Sequence, residues 1–546
     1  MSADIVDMGY EVFERRGELG KTLAYAVVRG LCENAQKPLL CDFSGGAKNY
    51  SGADLLAASC ALAEVLRAES LGGRLGIAIP PSFIACVVNY ACVLSGITPV
   101  NLNFTLGPVA AASCVATAKI REMITALPYS AKISKANPAF PWSQKVMDAS
   151  QILAQIPQER LDMWREAAAK GNPADILSHF GIPENSTDPK KEGTLVFTSG
   201  SEGAPKAAIL TERNIIANCL QTKLCGLFDS DDILLANLPI FHSFGLLFEV
   251  WYMAIEGQRT VSLASPLDIK SNVRAVKETG ATAIIGSPTF FRAYIKHANA
   301  EDMATIRKAV AGAEKTPNGF HELWNGKFGD TYREGYGLTE ATPVVGVNLP
   351  ERDFGWYCTG TRKGSIGKLF PGMSAKILDA STLKPLPFGM RGLLALKGAN
   401  IFAGYLDNPE ATNAALVDGW LVTGDLSRLD SDGFLYIDGR LSRFSKIGGE
   451  MVPHATVEAA LNAQLGYAGS DVPSLAISSR LDEGKGEAIV LVAAVDITLA
   501  EAKEALRRAG ISNLWMPKHL VRTDKIPLLP SGKLDLKKLA KLAAGD

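Results

Sequence analysis

The sequence predicts an α/β protein of several lobes: a large amino-terminal body with mixed and parallel sheets, a small β-rich lobe within it, and an α+β carboxyl-terminal domain. Three observations lead there. Apolar strands alternate with amphipathic helices through most of the chain, as in Arg74–Ile79 with Ser82–Ser95, Asp232–Asn237 with Leu246–Ile255, and Ala281–Ile285 with Thr289–Ala298. Such alternation builds sheets layered with helices. From about Arg362 the character changes to short strands punctuated by glycine turns, among them Gly364-Ser-Ile-Gly-Lys368, Arg391-Gly-Leu-Leu-Ala-Leu-Lys-Gly398 and Asp432-Gly-Phe-Leu-Tyr-Ile-Asp-Gly439, as in a small β-rich lobe. After Arg440 a tail with its own apolar pattern follows, with a strand at Ile489–Val495 and a helix at Leu499–Ala509. The expected boundaries are 1–440 for the body, with the β-rich lobe at about 362–440, and 441–546 for the tail.

At 546 residues the chain exceeds one compact core and has room for a large interior. Apolar content of 47% against 21% charged residues is that of an ordinary globular protein. A formal charge of −1 offers no broad basic face, so no nucleic acid partner is expected. The 9 cysteines are scattered without a C-x-x-C pair, which indicates neither a disulfide framework nor a zinc site and fits a reducing, cytoplasmic location. The first residues carry acids and lack the basic start and apolar block of a secretory signal. The stretch from Leu75 to Lys119 lacks charge, but Pro80, Pro81, Asn89, Ser95, Gly96 and Pro99 interrupt it. A strand and a buried helix are expected there, with no transmembrane segment. Toward the end, Lys518, Arg522, Lys525, Lys533, Lys537, Lys538 and Lys541 face only Asp524, Asp535 and Asp546; a solvated helix face accounts for this, and docking of an acidic or phosphate-rich partner is the alternative.

The passage richest in chemistry is Phe197-Thr-Ser-Gly-Ser-Glu-Gly-Ala-Pro-Lys206. Gly200 and Gly203 can adopt backbone angles closed to other residues and let N–H groups converge on an anion. Thr198, Ser199 and Ser201 add donors, and Lys206 adds charge. The preceding Thr-Leu-Val-Phe is expected to be a buried strand that delivers the loop. Taken alone, the loop also fits an ordinary Ser/Gly turn. It is not a G-x-x-x-x-G-K-[ST] loop, because Pro205 and Ala207 flank the lysine.

Further motifs follow in order. Leu238-Pro-Ile-Phe-His242-Ser-Phe-Gly245 sets an imidazole beside aromatics, which fits a packed core histidine as well as a site residue. Ala311-Gly-Ala-Glu-Lys315 comes next. In Glu334-Gly-Tyr-Gly-Leu-Thr-Glu340 two glycines would let a ring or nucleotide approach the backbone, and Thr339 with Glu340 offers hard oxygen ligands suited to Mg²⁺. Trp420-Leu-Val-Thr-Gly-Asp425 places a carboxylate after a turn; Gly439-Arg440 and Pro530-Ser-Gly-Lys533 complete the set.

In this order and spacing the motifs closely resemble the adenylate-forming (ANL) superfamily of acyl-CoA synthetases, peptide-synthetase adenylation domains and luciferases, from about Ser51 to about Lys541. Within it, Phe-Thr-Ser-Gly-Ser-Glu-Gly, Leu-Pro-Ile-Phe-His-Ser-Phe-Gly, Val-Ala-Gly-Ala-Glu-Lys, Glu-Gly-Tyr-Gly-Leu-Thr-Glu and Lys-Ile-Gly-Gly-Glu-Met-Val are similar to the acyl-ACP synthetase half of the bacterial 2-acylglycerophosphoethanolamine acyltransferase/acyl-ACP synthetases. The resemblance implies the ANL fold with a mobile carboxyl-terminal domain. It implies a ligase that uses ATP and Mg²⁺ to turn a fatty or other apolar carboxylic acid into an acyl-adenylate, releases pyrophosphate, and passes the acyl group to a thiol.

The thiol implied most directly is that of an acyl carrier protein, with coenzyme A or a pathway-specific acyl-AMP ligase as alternatives. A non-catalytic acyl-adenylate or ATP sensor is the reading from another class; retention of Lys206, Glu340, Asp425 and Lys533 speaks against it. Carried over by resemblance, Thr198, Ser199, Gly200, Ser201, Gly203 and Lys206 would hold the β- and γ-phosphates, and Thr339 and Glu340 the metal. Ala313, Glu314 and Glu334-Gly335-Tyr336-Gly337 would enclose adenine, and Asp425 and Arg440 would fix the ribose. His242, Gly286 and Gly312 would border the acyl channel. Lys533, Glu340, Lys206 and His242 form the catalytic set.

The chain departs from the family pattern at Ser442, where the pivot usually carries Asp or Lys, at Ala207 in place of Gly, and at Glu202, a carboxylate beside expected phosphates. No histidine precedes His179, so the His-x-x-x-x-Asp acyltransferase module of the two-function relatives is not expected at the amino end. His297-Ala-Asn-Ala-Glu-Asp302 has that spacing but is expected to be a surface helix end.

Overall fold

Four parallel strands each followed by a helix, Ile233–Ala236, Arg259–Ser262, Ala283–Gly286 and Lys308–Ala311, form the middle of the central sheet of this computed structural model, which describes residues 4–44, 46–69, 71, 73–127, 129–198, 205–447, 450–467, 472–482, 486–528 and 534–545. The sheet has nine strands in the order Lys368–Leu369, Val344–Val347, Tyr332–Gly337, Lys308–Ala311, Ala283–Gly286, Ile233–Ala236, Arg259–Ser262, Pro38–Asp42 and Lys48–Ser51. The six from Tyr332–Gly337 through Pro38–Asp42 run parallel. Alternate side chains enter different cores: Leu234, Ile285 and Val310 join one cluster, while Leu235, Ile284 and Ala309 join the other. Period-two alternation in a sheet covered on both faces produces this division. Helices Ile269–Thr279, Pro288–His297 and Phe320–Phe328 supply residues to the second cluster, around the buried rings of Phe291, Trp324 and Tyr332. His297 closes the second of these helices at the surface, as expected from the sequence.

A smaller parallel sheet, ordered Thr98–Asn101, Arg74–Ile77, Glu122–Thr125 and Lys145–Asp148, forms from the uncharged stretch and its surroundings. Its helix Phe83–Leu94 is capped by the Ser82 side chain, which accepts from Ala85 N. Among the described residues no helix is long and apolar enough to cross a membrane.

The expected helix Leu246–Ile255 differs in kind, with a π-helical turn over Leu246–Tyr252 and α-helix only over Met253–Glu256. Every residue of the π segment is buried, and the Tyr90 hydroxyl, 2.6 Å from Val250 O, donates to its widened backbone.

The small lobe is a six-stranded sheet of Ser374–Leu378, Gly392–Lys397, Trp420–Leu429, Leu416–Val417 and Leu435–Arg440, joined by Ile5–Asp7 from the amino end. The lobe read at about 362–440 therefore needs correction at two places besides this distant strand. Lys368–Leu369 belongs to the large sheet, and Gly404–Tyr405 pairs with Lys206–Thr211 in a three-stranded sheet completed by Glu192–Thr198.

A five-stranded sheet arises wholly after residue 443, in the order Glu450–Pro453, Phe444–Ile447, Gly486–Ala493 and Leu475–Asp482, with His519–Arg522 pairing Gly486–Ala493. Helices His454–Leu465 and Leu499–Arg508 supply residues to one core, and Leu536–Ala544 to another. Leu499–Arg508 begins at a capping box between Thr498 and Glu501. Between this sheet and the small lobe lies the single turn Leu441–Arg443. On one side of it Phe444 packs with Leu378, Leu393, Ala395 and Leu426, while Arg443 bonds Ile477 O at 3.1 Å and pairs with Glu458.

Candidate functional site

Four of the predicted motifs follow the carboxyl ends of neighbouring parallel strands. Leu238–Gly245 follows Ile233–Ala236, Gly286 ends its own strand, Gly312–Lys315 follows Lys308–Ala311, and Leu338–Ala341 follows Tyr332–Gly337. Open parallel sheets bind ligands in the crevice at that edge, because the loops leaving it are free to diverge.

Gly312 N donates to Gly286 O at 2.9 Å, so these two glycines are joined through the backbone. A Cβ on Gly312 would stand 3.5 Å from the Phe244 ring, whereas one on Gly286 would strike the Phe291 ring at 2.8 Å. Ala313 takes a positive φ of 66°, and the Glu314 carboxylate accepts from the Thr289 hydroxyl at 2.6 Å. An added Cβ on Gly337 would strike Pro343 O at 2.3 Å, so the chain's own backbone leaves no room for a side chain there, while one on Gly335 would press Val347 at 3.0 Å. Burial pushes the Glu334 carboxyl above its usual range, opposed by a bond from Thr316.

His242 is exposed, with its ring centroid 4.8 Å from that of Phe241, so the packed-core reading does not hold. The next residue joins two motifs, since Ser243 Oγ and Thr339 Oγ1 share a hydrogen bond of 3.2 Å.

Asp425 and Arg440 are direct cross-strand partners in the small lobe, the arrangement in which opposite charges meet on one face of a sheet. Arg440 Nε lies 3.1 Å from Asp425 Oδ1, and the Tyr336 hydroxyl donates to Oδ2. Only 4% of Asp425 is exposed. Burial lifts its carboxyl above the usual range, with the Arg440 guanidinium opposing, while Asp425 in turn holds Arg440 more firmly protonated. The Glu340 charge adds to both upward shifts, so this carboxylate belongs to the same electrostatic cluster.

The hairpin delivers the third part. Thr198 and Lys206 face each other across its two strands, and Thr198 Oγ1 lies 3.4 Å from Lys206 O. Ser199, Gly200, Ser201, Glu202 and Gly203 lie outside the described residues, as does Lys533. The Lys206 ammonium stands 5.1 Å from the centre of the Tyr405 ring, and the Tyr405 hydroxyl donates to Glu340 Oε1 at 2.6 Å. Ala207, 1% exposed, is packed inside the sheet. Ser442 is exposed on the turn that joins the lobe to the carboxyl-terminal sheet.

Lys206, Glu340, Tyr336, Asp425 and Arg440 are thus linked by contacts or mutual charge, and Thr339 joins through Ser243. Sequence reasoning missed Tyr405 and Ser243; the one signal for Tyr405 was an aromatic in the turn-rich Gly404-Tyr-Leu-Asp-Asn-Pro409. A magnesium ion suits this donor set. Among the described residues no three His, Cys, Asp or Glu side chains converge, and Mg²⁺ characteristically takes one or two carboxylates together with substrate phosphate oxygens and water.

A family model described as AMP-binding enzyme matches residues 32–406. The chain is 29% identical over 358 residues to a long-chain-fatty-acid–CoA ligase of Salmonella typhimurium, an alignment covering 64% of this chain and 62% of the ligase. It is 29% identical over 484 residues to a feruloyl-CoA synthase of Amycolatopsis sp, covering 87% of this chain and 90% of that one. Among solved structures, O-succinylbenzoate coenzyme A synthetase from Bacillus subtilis, in complex with ATP and magnesium ion, superposes with a TM-score of 0.74 at 22% identity, covering 94% and 99% of the two chains. The fold is shared along almost the full length.

Proposed function

This chain belongs to the AMP-binding enzyme family, and from that premise we propose that it is an ATP-dependent acid–thiol ligase that activates a fatty or other apolar carboxylic acid as its acyl-adenylate. The supporting observation is the linked cluster of Lys206, Glu340 and the Asp425–Arg440 pair, with Tyr405 and Tyr336 as its bridges.

In the first half-reaction the acid carboxylate attacks the α-phosphorus and pyrophosphate leaves; in the second a thiol attacks the acyl carbon and AMP leaves. The first step brings an anion to a polyanion, so the protein must supply cations and oriented dipoles where charge accumulates. Lys206 and the hairpin loop would bind the leaving β- and γ-phosphates, and Lys533 would meet the carboxylate and the α-phosphate oxygens. Thr339 and Glu340 would hold Mg²⁺, whose charge neutralises the phosphate oxygens when it is bound. Asp425 would accept from the ribose hydroxyls while Arg440 keeps it ionised, and Ala313, Glu314 and Glu334–Gly337 would flank adenine. His242, Gly286 and Gly312 would border the acid. Residues 441–546 would act as a domain that swings about the turn at Ser442, closing Lys533 over the body and then reopening for the thiol.

For the acceptor we favour the phosphopantetheine thiol of a carrier protein, on the five shared phrases quoted from the sequence; the CoA ligases and synthases among the relatives support coenzyme A. One assay separates them: protein, ATP, Mg²⁺ and a fatty acid panel with either CoA or carrier protein. Acid-dependent pyrophosphate release with acyl transfer to carrier protein is expected. Transfer to CoA alone would defeat the carrier reading, and no pyrophosphate release with any acid would defeat the ligase reading.

A further inference from the structure

We propose that Tyr405 is a positioning residue that sets Lys206 and Glu340 as one unit, its ring carrying the lysine and its hydroxyl aiming the carboxylate. The inference rests on the ligase reading above for what those two residues bind. Tyr405 itself is fixed from several sides. It pairs with Ala208 in the edge of the hairpin sheet, its N–H donates to Thr412 Oγ1 at 2.9 Å, and the Phe402 ring meets it nearly perpendicularly at 4.9 Å. Gly404 beside it has no room for a side chain, because a Cβ there would come within 2.6 Å of Thr412. The same segment reaches Glu340 a second time, with Phe402 N donating to Glu340 O at 2.9 Å.

A tyrosine serving only as packing would not need its hydroxyl on a half-buried carboxylate. With Oε1 committed to the phenol, the Glu340 carboxylate is fixed in rotation and presents Oε2 in one direction, which is what a cation demanding regular octahedral geometry requires. On the ring face, a lysine ammonium gains electrostatic attraction and gives up rotamer freedom before any phosphate arrives. Lys206 and Glu340 are 134 residues apart in sequence; the strand Lys206–Thr211 lies beside the turn Thr339–Ala341, and the Tyr405 side chain reaches both the lysine ammonium and the carboxylate. The hydrogen bond therefore acts on the metal side and the ring on the phosphate side, and the two contributions are separable by mutation.

The test is calorimetric binding of ATP with and without Mg²⁺ to wild type, Tyr405→Phe and Tyr405→Leu, alongside each protein's melting temperature. Tyr405→Phe keeps the ring and loses the bond; it is expected to weaken Mg²⁺–ATP binding by about tenfold, the scale of one bond to a charged group, and leave metal-free ATP binding within about twofold. Tyr405→Leu is expected to weaken metal-free binding as well, by about threefold, the scale of a cation–π contact. Tyr405→Phe binding Mg²⁺–ATP like wild type, or losing the same factor with and without the metal, would overturn the proposal; it decides alone where Tyr405→Leu fails to fold. A wild type that binds Mg²⁺–ATP but releases no pyrophosphate with any acid overturns the ligase reading and leaves the role of the tyrosine standing. A wild type that binds no ATP overturns both.

Discussion

A carboxylate that is 4% exposed, as Asp425 is, stays ionised only through its partners, because desolvation of an isolated charge is far more costly than a hydrogen bond returns. Arg440 and Tyr336 occupy its two oxygens, and an amide in its place offers Arg440 no opposite charge and Tyr336 a weaker acceptor. Asp425→Asn is expected to raise the KM for ATP by about tenfold with a smaller change in kcat, measured by steady-state pyrophosphate release. Glu249 shows the opposite case. It is fully buried, Ser262 donates to Oε1, and Oε2 has no hydrogen-bond partner. Burial holds this carboxyl well above its ordinary value of 4.5, with Asp42 nearby adding to the shift. A raised carboxyl favours the folded state while protonated, so the contribution is full below about pH 4.5 and is lost as pH rises through the folded value. Glu249→Gln should therefore flatten the fall in melting temperature as pH rises above about 4.5, and a variant with the wild-type slope would contradict it. At this scale the sequence named Asp425 and Arg440 by motif. For Tyr405 it offered only an aromatic in a turn-rich segment, and for Ser243 no sign, since their partners lie 65 and 96 residues away and a lone aromatic or serine carries no spacing pattern.

Elements were legible where their period was local. The helices expected at Ser82–Ser95, Thr289–Ala298 and Leu499–Ala509 form over Phe83–Leu94, Pro288–His297 and Leu499–Arg508, since caps and amphipathic spacing act over a few residues. The π turn at Leu246–Tyr252 was not legible, because it depends on a helix about 160 residues earlier whose Tyr90 reaches Val250 O. Nor were Ile5–Asp7 and Gly404–Tyr405, strands of three and two residues that owe their structure to partners far along the chain. The carboxyl-terminal sheet holds its own titration probe at the start of helix His454–Leu465. His454 Nε2 lies 2.6 Å from Ser445 Oγ, and burial, with the Arg443 charge behind it, lowers the imidazole to about 3. A depressed value means stability that is present above the ordinary 6.5 and is lost as pH falls toward 3. Residues 444–545 should thus exchange amide hydrogens faster as pH drops from 6.5 to 4, after correction for intrinsic rates. His454→Gln should remove much of that trend, at about 4–8 °C of melting temperature per kcal/mol for a domain near a hundred residues.

For the whole molecule, the proposed chemistry divides between a body carrying Lys206, Glu340 and Asp425 and a tail carrying Lys533, joined by the single turn Leu441–Arg443. Phe444 packs with the small lobe while Arg443 is bonded to the tail, so adjacent residues hold to opposite sides of the turn, and any swing must disturb one of them. Lys533→Ala is expected to cut acid-dependent pyrophosphate release at least about a hundredfold, the scale of one transition-state charge contact, while transfer from supplied acyl-adenylate to thiol stays within a few fold. Equal loss of both steps would count against the division of labour. By itself the sequence determined the layered α/β class, the order of the motifs and the family they belong to, because buried periodicity and glycine-rich turns are written in neighbouring residues. Only the tertiary structure decided that the small lobe borrows a strand from the amino end and that Tyr405 bridges Lys206 and Glu340. Each of these is a contact between segments distant in the chain, formed when the strands pair and the loops meet at one edge of the sheet, and no local pattern of residue types encodes such a meeting.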